Sequence, residues 1–186
     1  MDEQKTSYNP NIKTSKETKA KKYLAEFVYG ATDGAVTTFA IIAGAVGAIL
    51  SAKFILILGF ANLLADGFSM AASNYLSTKS QKDLDGGRNT NHKRPIKTAI
   101  ATFFSFVIVG FIPLFSFVIA PLNSHIDQNK FVISAILTGV AFLVIGFIKA
   151  VITKKGKIHS AIESFLIGGL AAAISFTVGF LLRDLF

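Results

Sequence analysis

The chain contains no cysteine, and only 16% of its 186 residues are charged. The missing thiols exclude disulfide bonds, thiolate metal sites and iron–sulfur clusters. An average soluble domain has roughly a quarter of its residues charged, so the charge content is low for a soluble protein. Hydrophobic residues make up 52% of the chain, the mean hydropathy is +0.54, and the apolar residues are grouped into long runs. This composition indicates an integral membrane protein.

Five apolar stretches follow one another along the chain, each long enough for the ~20 residues that a hydrocarbon core requires. We therefore predict an all-α integral membrane protein with five transmembrane helices in one domain, residues 23–186. The predicted spans cover residues 23–50, 54–78, 97–120, 131–152 and 160–182. Residues 1–22 are polar and rich in lysine, and they are predicted to form a disordered cytoplasmic tail without a cleavable signal peptide.

The basic residues lie between the apolar stretches, which explains the net charge of +8 without nucleic-acid binding. The N-terminal tail and the loops after the second and fourth spans hold nearly all of them. Only Lys53, Lys130 and Arg183 fall on the other side. The positive-inside rule then places the N-terminus in the cytoplasm and the C-terminus on the opposite side of the membrane.

Acidic side chains occur inside the first predicted span. Glu26, Asp33 and Thr37 share one helix face, because they are seven and four residues apart. Asp33 lies eleven residues after Lys22, ~16 Å along the helix, where a carboxylate indicates an ion or proton pathway. Two structural alternatives stay open: that Glu26 only meets headgroup water or the helix N-terminus, and that Asp33 is a hydrogen-bonded brace between helices.

The second span carries a longer polar stripe. Its members recur every four residues, flanked by serines such as Ser69 and Ser73; they are Asn62, Asp66, Met70, Asn74 and Thr78. Oxygen ligands together with one soft sulfur suit Fe²⁺ or Mn²⁺, whereas Ca²⁺ and Mg²⁺ prefer oxygen alone. The alternative interpretation is that Ser and Asn only join helices and that Met70 only fills space.

Catalytic motifs are missing from the chain. It has no glycine-rich phosphate loop, no nucleophile close to a base in sequence and no HExxH motif. Glu163, beside Lys157 at the start of the fifth span, is expected to be structural. We predict that the protein is not an enzyme and has no cofactor. Five spans are few for a complete pathway in one chain, which favours a symmetric homodimer.

Several segments resemble one family of membrane proteins. They are Asp33-Gly34, Thr37-Thr38-Phe39-Ala40, Gly44-Ala45-Val46-Gly47-Ala48, Ala65-Asp66-Gly67-Phe68-Ser69-Met70, Gly110-Phe111-Ile112-Pro113-Leu114 and Leu166-Ile167-Gly168-Gly169-Leu170. In this order they resemble the vacuolar iron transporter family over about residues 23–185. The resemblance implies a five-helix homodimer that exports Fe²⁺, often also Mn²⁺, from the cytosol in exchange for protons. It also implies that Asp33 and Met70 contribute to the transport site and that Glu26 occupies a commonly acidic position.

The chain departs from that family in two places. Many members have Glu eight residues before the methionine, where this chain has Asn62, and Asp66 lies one turn nearer to Met70. The loop after the second span is short and basic, so it lacks the glutamate-rich metal-binding region of the well-known iron transporters. The chain therefore resembles a short-loop branch.

The leading hypothesis is a transporter that moves Fe²⁺ or Mn²⁺ out of the cytosol. Its expected partners are the metal ion, protons, membrane lipid and a second copy of the chain. The alternative is a non-transporting assembly or regulatory protein whose intramembrane polar residues only brace helices. A bacterial cytoplasmic membrane is the favoured location, although a eukaryotic vacuolar membrane satisfies the same topology.

Overall fold

The protein is a bundle of five long helices. The computed structural model describes residues 22–86, 93–153 and 156–185, so almost all of the predicted tail lies outside the described residues. The helices are α1 (Leu24–Gly47), α2 (Ala52–Leu84), α3 (Pro95–Ile119), α4 (Ser124–Thr153) and α5 (Lys157–Leu182), with a 3-10 turn at Ala120–Leu122. All five are long and apolar enough to cross a membrane. This confirms the predicted all-α membrane fold with five spans.

Two of the helices extend beyond the apolar stretches predicted from the sequence. α2 continues to Leu84, and α4 already begins at Ser124. A helix satisfies its own backbone hydrogen bonds, so it can continue into water beyond the hydrocarbon core. Asp127 in the first turn of α4 and Lys82 in the last turn of α2 have the charges that a helix dipole favours at these ends.

Successive helices alternate in direction, which brings the starts of α1, α3 and α5 to one side of the bundle. Leu24 at the start of α1, Thr153 at the end of α4 and Glu163 near the start of α5 line the same pocket. The hydroxyls of Thr78, near the end of α2, and Thr98, near the start of α3, are 3.1 Å apart and hydrogen-bonded. We call this side the basic end, because the described basic residues Lys79, Lys82, Lys93, Arg94, Lys97 and Lys149 lie in or beside the connections here.

α1 is the central helix and packs against all four others. Its glycines allow this close approach: a Cβ atom at Gly34 would overlap the carbonyl oxygen of Phe106 on α3, and one at Gly47 would overlap that of Phe176 on α5. Small residues on one face let helix backbones meet closely in lipid, where association depends on packing rather than on the hydrophobic effect.

Serine hydroxyls add hydrogen bonds between the helices. Ser175 Oγ on α5 donates to the Ala40 carbonyl oxygen on α1 at 2.6 Å, and Ser134 Oγ on α4 donates to the Pro113 carbonyl oxygen on α3 at 2.7 Å. Hydrocarbon offers no competing partner for a hydroxyl, so such bonds fix the register of neighbouring helices.

α1 ends in a tight turn that returns the chain directly into α2. The Ile49 amide donates to the Val46 carbonyl and the Leu50 amide to the Ala45 carbonyl, the pair of bonds that defines a Schellman motif. Ile49 adopts a φ of 59° in this motif. Glycine usually occupies such a position, and a β-branched residue there is strained by about 1–3 kcal/mol.

The packing of α1 against α5 makes a testable prediction. We expect Gly47→Ala to lower the stability of the detergent-solubilised protein by about 1–3 kcal/mol, because the added methyl forces the helices apart. Gly169→Ala is the matched control, since no heavy atom lies within 4 Å of a Cβ built at Gly169. The melting temperatures of both variants are measured by size-exclusion chromatography of samples heated to increasing temperatures. Equal melting temperatures for the two variants would contradict the packing described.

Candidate metal site

Two carboxylates lie near the contact between α1 and α2. Asp33 on α1 and Asp66 on α2 are both partly buried, and they are close enough to interact electrostatically. Within the described part of the chain, no side chain donates a hydrogen bond to either carboxylate. An aspartate that braces two helices in lipid would need such a donor. The structure thus brings together two of the residues that the sequence predicts for a metal site.

Asp33 lines a pocket of about 620 Å³ between α1, α4 and α5. Tyr29, Thr32 and Val36 lie beside it on α1, one turn or less away. The pocket extends towards the basic end of the bundle, where the ends of α4 and α5 complete its wall. Asp33 is therefore reachable from a space outside the packed core.

Met70 lies on the other side of this region, in a smaller pocket of about 290 Å³. Most of its side chain packs in the core against the cluster that contains Leu63 and Phe106. The part that lines the pocket shares it with Ser69, Ser73, Asn74 and Ser77 of α2 and with Tyr29 of α1. Tyr29 lines both pockets, so it stands between the pocket of Asp33 and that of Met70.

Asn62 and Thr37 differ in the hydrogen bonds they make. The Nδ2 atom of Asn62 is buried and has no hydrogen-bond partner in the described residues. A half-turn of the terminal torsion exchanges its nitrogen and oxygen, so this amide can present either atom to a ligand. The Thr37 hydroxyl donates to the carbonyl oxygen of Asp33 at 2.8 Å, which leaves only its lone pairs for another group.

The half of the α2 stripe nearer the basic end joins α2 to α3. Asn74 Nδ2 donates to Thr102 Oγ1 at 2.6 Å, and Thr78 and Thr98 form the hydrogen bond described above one turn further along. Ser69 and Ser73 are exposed, and they line the pocket of Met70. The structure therefore separates one polar stripe into residues that brace helices and residues that remain available.

Glu26 is held by an ion pair that was not apparent from the sequence. Its Oε1 atom accepts a hydrogen bond from Lys93 Nζ at 2.7 Å, and only 8% of its side chain is exposed. Its Oε2 atom is buried without a partner in the described residues. Lys93 lies just ahead of α3, so Glu26 links the start of α1 to the loop that precedes α3.

Comparison with known proteins identifies the family. The model of the VIT family matches residues 24–86 and 84–180. The chain belongs to the VIT family. Among curated proteins it is 29% identical to "Vacuolar iron transporter homolog 4" of Arabidopsis thaliana over 95% of this chain and 94% of that protein. It is 30% identical to "Vacuolar iron transporter homolog 3" of the same plant, over 85% and 82% of the two chains.

A similar relationship holds with a relative from another organism. The "Vacuolar iron transporter" of Plasmodium berghei (strain Anka) is 24% identical over 98% of this chain and 96% of that protein. These relatives come from eukaryotes, so they do not support the preference for a bacterial membrane. They do confirm the resemblance found in the sequence, and they agree with a protein that is a transporter rather than an enzyme.

Sequence reasoning about this VIT family protein missed some residues of the site. Tyr29 is four residues before Asp33, so the same helical spacing that joined Asp33 to Thr37 would have placed it on that face. Lys149 lies in a wall of the Asp33 pocket and binds Glu163 at 3.3 Å. The sequence does not indicate that Lys149 pairs with Glu163, because Lys157 is much nearer to Glu163 in sequence.

The hydrogen bond between α2 and α3 is expected to contribute to stability. Asn74→Ala should destabilise the protein by about 1 kcal/mol, the range of side-chain hydrogen bonds between membrane helices. A double-mutant cycle with Thr102→Val isolates this interaction, and unfolding in detergent with increasing denaturant measures it. Ser80→Ala, at an exposed position of the same helix that lines neither pocket, is the control. A coupling energy of zero between positions 74 and 102 would show that the bond contributes nothing.

Proposed function

We propose that this protein carries Fe²⁺ or Mn²⁺ out of the cytosol in exchange for protons, with Asp33 and Asp66 as its central ligands. Membership of the VIT family supports a metal transporter, and the names of its relatives point to iron. The observation that carries the proposal is the pair of carboxylates on neighbouring membrane helices, close together and without hydrogen-bond donors among the described residues.

The ligand types around this pair favour a borderline divalent cation. The two carboxylates supply negative charge, the Asn62 amide supplies an unpaired polar group, and the Met70 thioether supplies a soft ligand. Hard cations such as Mg²⁺ bind oxygen and dehydrate reluctantly, whereas Fe²⁺ and Mn²⁺ accept such a mixed set. No three His, Asp or Glu side chains converge on a metal position in the part of the chain that is described. Neutral ligands or a second chain must therefore complete the coordination.

Proton exchange follows from the same electrostatics. Two neighbouring carboxylates in a medium of low dielectric repel each other strongly unless a positive charge lies near both. A divalent cation removes this repulsion while it is bound, and protons can remove it after the cation has left. The pair is therefore suited to alternate between a metal-bound and a protonated state.

The exposed serines of α2 support a homodimer. Ser69, Ser73 and Ser77 lie on one helix face and are exposed in the single chain, inside a helix that crosses the membrane. Lipid cannot hydrogen-bond these hydroxyls, so we propose that a second copy covers them about a two-fold axis. The same axis would bring a second Asp33–Asp66 pair close to the first. The basic end is the cytoplasmic side, as the positive-inside rule requires.

A second candidate function is a non-transporting protein whose polar residues only brace the helices. The hydrogen bond between Asn74 and Thr102 favours it, because this part of the stripe is structural. The candidate accounts less well for Asp33 and Asp66, which have no such bonds in the described residues. Substitution of Asp33 and Asp66 therefore distinguishes the two candidate functions.

The decisive experiment measures metal flux into proteoliposomes that contain the purified protein. Asp33→Asn and Asp66→Asn should each reduce the uptake of Fe²⁺ or Mn²⁺ by about 10- to 100-fold, the scale on which metal sites lose affinity or activity when their supporting groups are removed. Asp127→Asn, at the start of α4 on the far side of the bundle, should transport normally. Wild-type rates in both aspartate variants would refute the assigned site. Loss of folding without loss of flux per folded molecule would favour the bracing role.

The dimer is tested by cross-linking. Because the chain has no cysteine, a single Ser73→Cys substitution gives one reactive position per protomer. We expect oxidation in native membranes to join two protomers through position 73. The control is Leu166→Cys on the exposed face of α5, which should stay monomeric. Cross-linking at position 166 but not at position 73 would place the interface elsewhere.

A further inference from the structure

The Asp33 pocket contains an ion pair that the proposed function leaves unused. Lys149 Nζ on α4 donates to Glu163 Oε2 on α5 at 3.3 Å, and both residues line the pocket that Asp33 lines. Their side chains are 35% and 49% exposed, respectively. A salt bridge this exposed contributes only about 0–1 kcal/mol to stability. Stabilisation of the contact between α4 and α5 therefore does not by itself explain why this ion pair lies in the pocket.

The pair lies between Asp33 and the basic end of the bundle. At 1.5 Å per residue, Asp33 is ~14 Å from the start of α1 at Leu24. Lys149 is ~6 Å from the end of α4, and Glu163 is ~9 Å from the start of α5. A cation that reaches Asp33 through this pocket from the basic end therefore passes Lys149 and Glu163 first.

We propose that Glu163 is the first carboxylate that an arriving divalent cation meets, and that Lys149 is the built-in cation which it displaces. This inference rests on the proposed function, in which Asp33 receives the metal. A charge of two binds a carboxylate more strongly than an ammonium does, so the metal separates the pair and opens the way to Asp33. When the metal has moved on, Lys149 returns to Glu163, so the next cation must displace it again.

We call the ion pair of Lys149 and Glu163 the gate. If it acts in this way, substitutions of its two residues must change the KM for transport in opposite directions. Lys149→Gln removes the competing charge, so the KM for Mn²⁺ presented at the basic end should fall about fivefold, the scale that Coulomb's law gives for one charge beside a divalent ion in a watery passage. Glu163→Gln removes the first ligand and leaves the repelling lysine, so the KM should rise by about the same factor. The maximal rate should stay within about twofold in both, since Asp33 is untouched.

A merely structural pair predicts something different. Each substitution would then break the same contact, and both would change transport in the same direction. KM shifts of equal sign, unchanged KM values, or changes confined to the maximal rate would each overturn the gate. The pair of Asp127 and Lys130, 2.8 Å apart at the opposite end, supplies matched controls. Asp127→Asn and Lys130→Gln should leave the KM at the basic end unchanged.

A second experiment tests the passage without measuring transport. Thr32→Cys places a single thiol in the pocket of an otherwise cysteine-free chain, and Val36→Cys is the substitute if that variant does not fold. A small cationic methanethiosulfonate reagent applied from the basic end should modify the thiol at least about fivefold faster than an anionic one. Mn²⁺ should slow the reaction, and Glu163→Gln should reduce the charge preference.

The two experiments separate the gate from the proposed function. Failure to modify the thiol from the basic end, or equal rates with both reagents, overturns the gate whatever the protein transports. Charge-selective and Mn²⁺-sensitive modification in a protein that carries no metal would support the cation passage and refute the transport function.

Discussion

The structure depends on the close backbone contact of α1 with the helices around it. Gly34 meets the backbone of α3 and Gly47 meets that of α5, so no larger residue fits at either position. This contact puts α1 at the centre, where one face can be packed while the face with Tyr29 and Asp33 borders open space. A carboxylate at that depth is tolerated because it faces a pocket and another polar helix rather than hydrocarbon. The packing of glycines thereby creates the position in which Asp33, a proposed metal ligand, borders a pocket.

Much of this arrangement was predictable from the sequence, because a membrane imposes simple rules. Apolar length defines the five spans, and helical periodicity defines which residues of α2 share a face. The cost of a charge in lipid marked Asp33 and Asp66, and the structure brings them together. Helix ends were less predictable, as at Leu84 and Ser124, since a helix can continue in water after its apolar stretch has ended.

The partners of the charged residues could not be predicted in the same way. Glu26 and Lys93 are 67 residues apart, and their ion pair exists only because α1 and α3 start at the same end. Glu163 pairs with Lys149 across two helices, although a basic residue is nearer in sequence. Lys93 and Lys149, two of the lysines from which the positive-inside rule predicts the orientation of the chain, thus also bind carboxylates at the basic end. The distribution of charge along the sequence predicts the orientation, whereas only the packing of the helices shows the ion pairs.

The polar stripe of α2 shows why one periodic pattern can serve two purposes. Towards the basic end, Asn74 is hydrogen-bonded to α3, and this fixes the rotation of α2 about its axis. One and two turns further in, Met70 and Asp66 have no side-chain hydrogen bond in the described residues, and Asn62 beyond them has an unpaired buried amide. The ligands of a site that binds and releases an ion must be held in a fixed position. Their polar atoms must also remain without hydrogen-bond partners, so that they can bind the ion. The bracing half of the stripe is therefore the reason that the other half can remain free for a ligand.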